Sequence, residues 1–118
     1  MSLVVLSTQT QLAKAYTQLN GSTGLFLSIH NADPGPTGTP ATEATGGSYA
    51  RQPVTWNPVT TGTATGNQVT MNVPAGTWTY AGLWTAATGG TMVDRVQIAS
   101  TQVSSPSALL VTPSFTIS

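Results

Sequence analysis

The sequence predicts a mainly β domain: an antiparallel β-sandwich, or flattened barrel, of about six to eight short strands with one short N-terminal helix. Three observations predict it. From Gly24 onward, apolar residues recur with a period of two in short runs. Gly-, Pro-, Asn- and Thr-rich turn signals separate these runs. Helical periodicity occurs only before Gly21. A chain of 118 residues holds one two-layer core. We divide it into an arm and amphipathic helix over residues 1–20 and a sandwich over residues 21–118.

Taken in order, "SLVVLS" reads as a short strand or apolar arm. Thr8 with Gln11 three residues on has the capping-box pattern, and Leu12, Tyr16 and Leu19 follow at i, i+4 and i+7. Asn20-Gly21 supplies the stop, so the helix spans residues 8–19. Leu25, Leu27 and Ile29 then alternate with Phe26, Ser28 and His30, the mark of a strand buried on both faces. Tyr49–Trp56 reads as a strand whose Pro53 places it at an edge or a bulge. In the next strand Val69, Met71 and Val73 face inward. In "GTWTYAGLWT", Trp78, Tyr80, Gly82 and Trp84 share a face, and Gly82 lets another group come close to the backbone. "TMVDRVQIAS" is a strand after the Gly89-Gly90 turn. Leu109, Val111, Pro113, Phe115 and Ile117 form one last half-buried strand.

Charge narrows the function classes. Charged residues are only 5% of the chain and the net charge is zero. Lys14, Arg51 and Arg95 cannot make the basic face on which phosphate binding depends, so a nucleic-acid partner and a polybasic membrane patch are both excluded. No run approaches the length of a membrane-spanning helix. Cysteine is absent, which removes disulfides and thiolate metal sites. The start "MSLVVLSTQTQ" lacks the basic segment of a secretory signal, so we expect synthesis in the cytoplasm without processing. The surface must be built from Thr, Ser, Asn, Gln and Gly, which suits a protein packed against neighbours.

The few ionisable groups are not evenly spread. The stretch "IHNADPGPTGTPATEATGGSYARQ" carries the lone histidine, two of the three acidic residues and one of the three basic ones. His30 and Asp33, even joined by Glu43, fall short of the ordered three or four ligands that a zinc or iron site uses. Asp33-Pro34-Gly35 is turn chemistry: Asp caps, Pro presets φ and Gly takes positive φ. A hydrolase using His30 with Asp33 or Glu43 is possible from the inventory, but no G-x-S-x-G elbow accompanies it. Arg51, just past the loop, offers a planar fork for Asp33 or Glu43. We therefore expect His30, Asp33, Glu43, Tyr49 and Arg51 to form a structural clamp, with no cofactor, no metal and no catalytic set. Trp56, Trp78 and Trp84 could stack sugars if exposed, but a sandwich core this small claims such rings first.

The strings Ile29–Gly35, Thr37-Gly38 and Glu43–Gln52 ("EATGGSYARQ"), with "VPAGTWTYAGLWTAATGGT" at Val73–Thr91, resemble a family of small tailed-phage virion proteins. The likeness covers roughly residues 24–92. Asn31 stands where Thr is usual, and Thr85 where Asp is common. The resemblance implies a non-enzymatic structural component of a phage particle, made in the bacterial host cytoplasm and located in the virion. Some members carry a tail-fibre label, and related sandwiches decorate heads. For this short chain without a shaft, the expectation is a capsid decoration or minor capsid protein docked on the major capsid protein. The alternative is a tail-fibre or tail-tip protein that binds host glycans. A homo-oligomer is expected, with a trimer favoured because it suits a capsid three-fold or a fibre. Leu12, Tyr16, Leu19 and Trp84 are the candidate interface residues.

Overall fold

The computed structural model describes residues 6–116. Its elements are α1 (Leu6–Thr17), β1 (Phe26–His30), β2 (Gln52–Pro53), β3 (Thr63–Thr65), β4 (Val69–Val73), β5 (Gly76–Trp84), β6 (Met92–Val103), β7 (Ser107–Val111) and β8 (Ser114–Thr116). Single 3-10 turns lie at Gly21–Thr23 and Pro40–Thr42. The class is as expected: mainly β, antiparallel throughout, with one helix. One sheet has the order β2-β1-β5-β6, while β4 pairs with β7 and β3 with β8. None of these sheets closes on itself, an arrangement compatible with a sandwich.

Period two explains the layering. The odd residues of the β1 region, Leu25, Leu27 and Ile29, enter the apolar core with Ala81 and Leu83 of β5 and Val69, Met71 and Val73 of β4. The even residues Ser28 and His30 point the other way, and both are fully buried. The loop over residues 31–51 lies against that second face, so β1 is sealed on both sides as its sequence predicts.

Several elements differ from expectation. The helix is already under way at Leu6, so Thr8 lies inside it and caps nothing. Its inward face carries Ala13 and Tyr16, because Ala13 fits tightly against Val59 and Ala64. Tyr16 stacks on Phe115 at 3.8 Å between centroids and meets Trp56 edge-on at 5.8 Å. Leu12 and Leu19 lie outward, 41% and 52% exposed. Asn20 ends the helical region by donating its side-chain amide to the carbonyls of Gly24 and Thr85.

The strand read over Tyr49–Trp56 shrinks to Gln52–Pro53, at the sheet edge where its proline belongs. Tyr49 and Arg51 turn inward instead of pairing along β1. The long final strand splits at Thr112-Pro113 into β7 and β8, and Ile117 lies outside the described residues. A register shift between Trp78 and Tyr80 breaks the expected aromatic face. Trp78 packs into the apolar core, while Trp84 bonds to Ser28 on the polar face.

Candidate functional site

The ionisable groups of the loop do converge. Chain geometry sets this up: Asn31 N–H donates to the Thr42 carbonyl and Ala44 N–H to the Ile29 carbonyl, each at 2.9 Å, so residues 42–44 run beside the end of β1. An antiparallel bridge pairs His30 with Glu43. Where β2 ends, the Ile29 N–H is left without a strand partner, and it donates to the Tyr49 hydroxyl. That hydroxyl donates in turn to Glu43 Oε2 at 2.6 Å.

Arg51 is the hub. Its Nε and Nη2 donate to the two Glu43 carboxylate oxygens, both at 2.9 Å, in the bidentate fork geometry. Its Nη1 donates to the carbonyls of Ala86 and Gly89, at 3.0 and 2.7 Å. Its guanidinium carbon lies 3.9 Å from the centre of the Trp84 ring. One side chain thus ties the 31–48 loop, the end of β5 and the β5–β6 turn together. Both partners of the ion pair are more than nine-tenths buried.

Beneath it lies a neutral chain of hydrogen bonds. Trp84 Nε1–H donates to Ser28 Oγ at 2.8 Å, Ser28 Oγ lies 2.7 Å from His30 Nε2, and His30 Nδ1 lies 2.9 Å from Thr42 Oγ1. A neutral imidazole satisfies both hydroxyls, with one nitrogen donating and the other accepting. The backbone at Gly82 passes directly over this group. A Cβ there would sit 2.8 Å from Ser28 Oγ and 3.3 Å from His30 Nε2, so only glycine fits.

Electrostatics follow the packing. Burial pushes His30 below its ordinary value; the Glu43 charge opposes this and the Arg51 charge adds to it. Burial alone would raise Glu43, but hydrogen bonds from Arg51 and Tyr49 and the Arg51 charge hold it below the usual carboxylate range. Tyr49 is pushed well above its ordinary value by burial and by its bond to Glu43.

Of the expected clamp residues, His30, Glu43, Tyr49 and Arg51 are brought together. Asp33 is not. It forms an Asx turn with the Gly35 N–H, as its sequence context predicts, and pairs with Arg95 in a partly exposed bridge. Sequence reasoning missed Ser28, Thr42 and Trp84 as cluster members; alternation along β1 was the available signal for Ser28, since it puts that residue on the His30 side. Trp84 was expected at an interface but is 4% exposed, sandwiched between Arg51 and the Ser28–His30 pair. Tyr16 likewise turns inward and donates to Asp94 Oδ2 at 2.6 Å. Burial, followed by that bond, pushes its hydroxyl well above its ordinary value.

The serine–histidine contact resembles a nucleophile and its base, but its surroundings do not. Both residues have no exposed surface. The second imidazole nitrogen meets a threonine hydroxyl where an orienting carboxylate would stand. Among the described residues no three His, Asp or Glu side chains converge as a metal site, and no helix is long and apolar enough to cross a membrane.

Fold and cluster together define a small β-structured scaffold whose buried polar groups hold loops in place. The chain belongs to the family described as podophage GP4 fiber I protein gp80, whose model matches residues 8–112. It is a structural protein of a tailed-phage virion by that membership. No curated protein and no solved structure matches it.

Proposed function

We propose that this chain is a non-enzymatic module of the phage fibre apparatus, a short rigid unit that packs against other virion proteins. The single observation that carries the reading is the family match over residues 8–112, whose description is a fibre protein. The sealed Ser28–His30 pair supports the non-enzymatic part, because no substrate atom reaches an oxygen with no exposed surface. Burial of Trp78 and Trp84 argues against glycan stacking on those rings, so a structural role in the fibre is favoured over an adhesive one.

A second reading, decoration of the head with the major capsid protein as partner, is favoured by shape. The domain measures 46 × 27 × 25 Å, and its sequence has no repeat from which a shaft could be built. A homo-oligomer, with a trimer favoured, suits either place. Imaging intact particles with a label on this chain decides between them. Label along the fibres supports the fibre reading, label across the head surface supports decoration, and absence from purified particles refutes both. Either docking should tolerate high salt, since so few charges are available to it.

A further inference from the structure

Asn20-Gly21 is the only Asn-Gly step in the sequence; the other asparagines, Asn31, Asn57, Asn67 and Asn72, precede Ala, Pro, Gln and Val. An asparagine side chain followed by glycine is open to attack by the next backbone nitrogen, because glycine has no Cβ to crowd the approach. The fold gives this particular amide a task. Both Nδ2 hydrogens are used, one on the Gly24 carbonyl at 2.5 Å and one on the Thr85 carbonyl at 2.6 Å. Asn20 thereby ties the end of α1 to the β5–β6 turn, the same turn whose Ala86 and Gly89 carbonyls Arg51 holds.

The fold also holds the reaction back. The Gly21 N–H donates to the Gln18 carbonyl at 3.0 Å, which keeps its proton in place. Asn20 has ψ 26°, so the Gly21 nitrogen lies on the far side of the Cα–C bond from Cβ and must swing round to reach Cγ. Ring closure therefore needs the Gly21–Thr23 turn and both side-chain bonds to open together.

We propose that Asn20 is a deamidation site guarded by the fold and a one-way latch: it reacts only when the end of α1 lifts from the β5–β6 turn, and the product does not close again. The chemistry balances with water alone. The Gly21 nitrogen loses its proton and attacks Asn20 Cγ, the bond from Cγ to Nδ2 breaks, and ammonia leaves with that proton. Water then opens the cyclic imide at either carbonyl, leaving aspartate or isoaspartate at position 20. Either product carries a carboxylate, which only accepts hydrogen bonds. It faces the Gly24 and Thr85 carbonyls, acceptors themselves, so attraction becomes repulsion. Isoaspartate also adds a methylene to the main chain just before the Gly21–Thr23 turn. None of this depends on where in the particle the protein sits.

The test is to age the full chain at mildly alkaline pH beside a synthetic peptide of residues 15–26, following position 20 by peptide mass mapping. The peptide should deamidate, and the folded chain should do so at least about tenfold more slowly, since only opened molecules react. Urea below the unfolding transition should speed the folded chain more than the peptide. The aged product has one more negative charge than its neutral parent, so anion exchange separates it. That product, and Asn20→Asp made directly, should lose about tenfold of the hydrogen-exchange protection at Gly21 and Thr85 while the β1–β5 ladder keeps its own. If Asn20→Asp does not fold, loss of the parent's fold in step with deamidation carries the same conclusion. A peptide that does not react overturns the proposal. So do equal rates in chain and peptide, or a deamidated chain with the parent's exchange pattern.

Discussion

Arg51→Ala is the sharpest perturbation of this structure. It removes four hydrogen bonds, two to Glu43 and two to the Ala86 and Gly89 carbonyls, and the contact with the Trp84 ring. It also leaves the Glu43 carboxylate buried with only the Tyr49 hydroxyl to answer it. Removing one partner of a buried ion pair costs about 3–5 kcal/mol; the desolvated cation–ring contact adds about 1 kcal/mol. A loss of about 4–6 kcal/mol is a large part of the roughly 5–15 kcal/mol that holds a domain together. With a urea slope of about 1.5 kcal/mol per molar, the unfolding midpoint should fall by about 3 M. Replacing both charges, as Arg51→Met with Glu43→Leu, should recover about 2 kcal/mol, because no buried charge is then orphaned. The rest stays lost with the unpartnered carbonyls of Ala86 and Gly89. Hydrogen exchange localises the effect. Protection at Asn31 and Ala44, which bond the loop to β1, and at Thr85 and Thr91, which close the turn, should drop more than protection within the β1–β5 ladder. A midpoint shift below about 0.5 M with unchanged exchange at those four amides would refute the clamp.

Stability should be flat between about pH 6.5 and 10 and fall on both sides. His30 and Glu43 are lowered in the fold, so as the pH drops below their ordinary values of 6.5 and 4.5 the unfolded chain takes up protons that the folded chain refuses. Tyr16 and Tyr49 are raised, so above their ordinary value of 10.0 the unfolded chain releases protons that the folded chain keeps. A urea midpoint that rises on acidification from pH 6.5 to 5 contradicts this. Gly82→Ala should destabilise by about 1–3 kcal/mol, since the added methyl meets Ser28 and His30 in a region without room to yield; thermal melting checks it, and an unchanged transition contradicts it. Tyr16→Phe should cost about 1–2 kcal/mol through the lost bond to Asp94 while keeping the stack on Phe115; a denaturation curve identical to the parent's contradicts it.

Much of the fold was legible because its strands alternate cleanly. Val69, Met71 and Val73 face inward as their spacing predicts, and Pro53 marks an edge. The Asp33 turn was equally readable, since Asp-Pro-Gly fixes local geometry without help from the rest of the chain. The errors fall where tertiary contacts decide. Leu12 and Leu19 outrank Ala13 in hydrophobicity, yet Ala13 is the one turned inward, fully buried in a cluster with Val59 and Ala64. The register shifts near Thr79 and between Leu83 and Trp84, and the break at Thr112-Pro113, carry little signal in alternation alone. The site shows the same division. Charge scarcity pointed to Glu43 and Arg51, but the choice of Glu43 over Asp33 rests on the bridge with His30 and on how far the loop folds back. Trp84 was misplaced because a large ring under a guanidinium cannot be distinguished, in sequence, from one on a surface.

The internal pairing of Glu43 with Arg51 and of Asp33 with Arg95 has a kinetic consequence. With two of its three acids paired internally and no net charge, the molecule casts a weak long-range field, so diffusing copies are little repelled or guided by one another. Encounters should proceed at the unsteered rate, about 10⁵–10⁶ per molar per second, and vary little with ionic strength. Incorporation into a growing particle would then be set by local abundance and by the odds of a correct orientation.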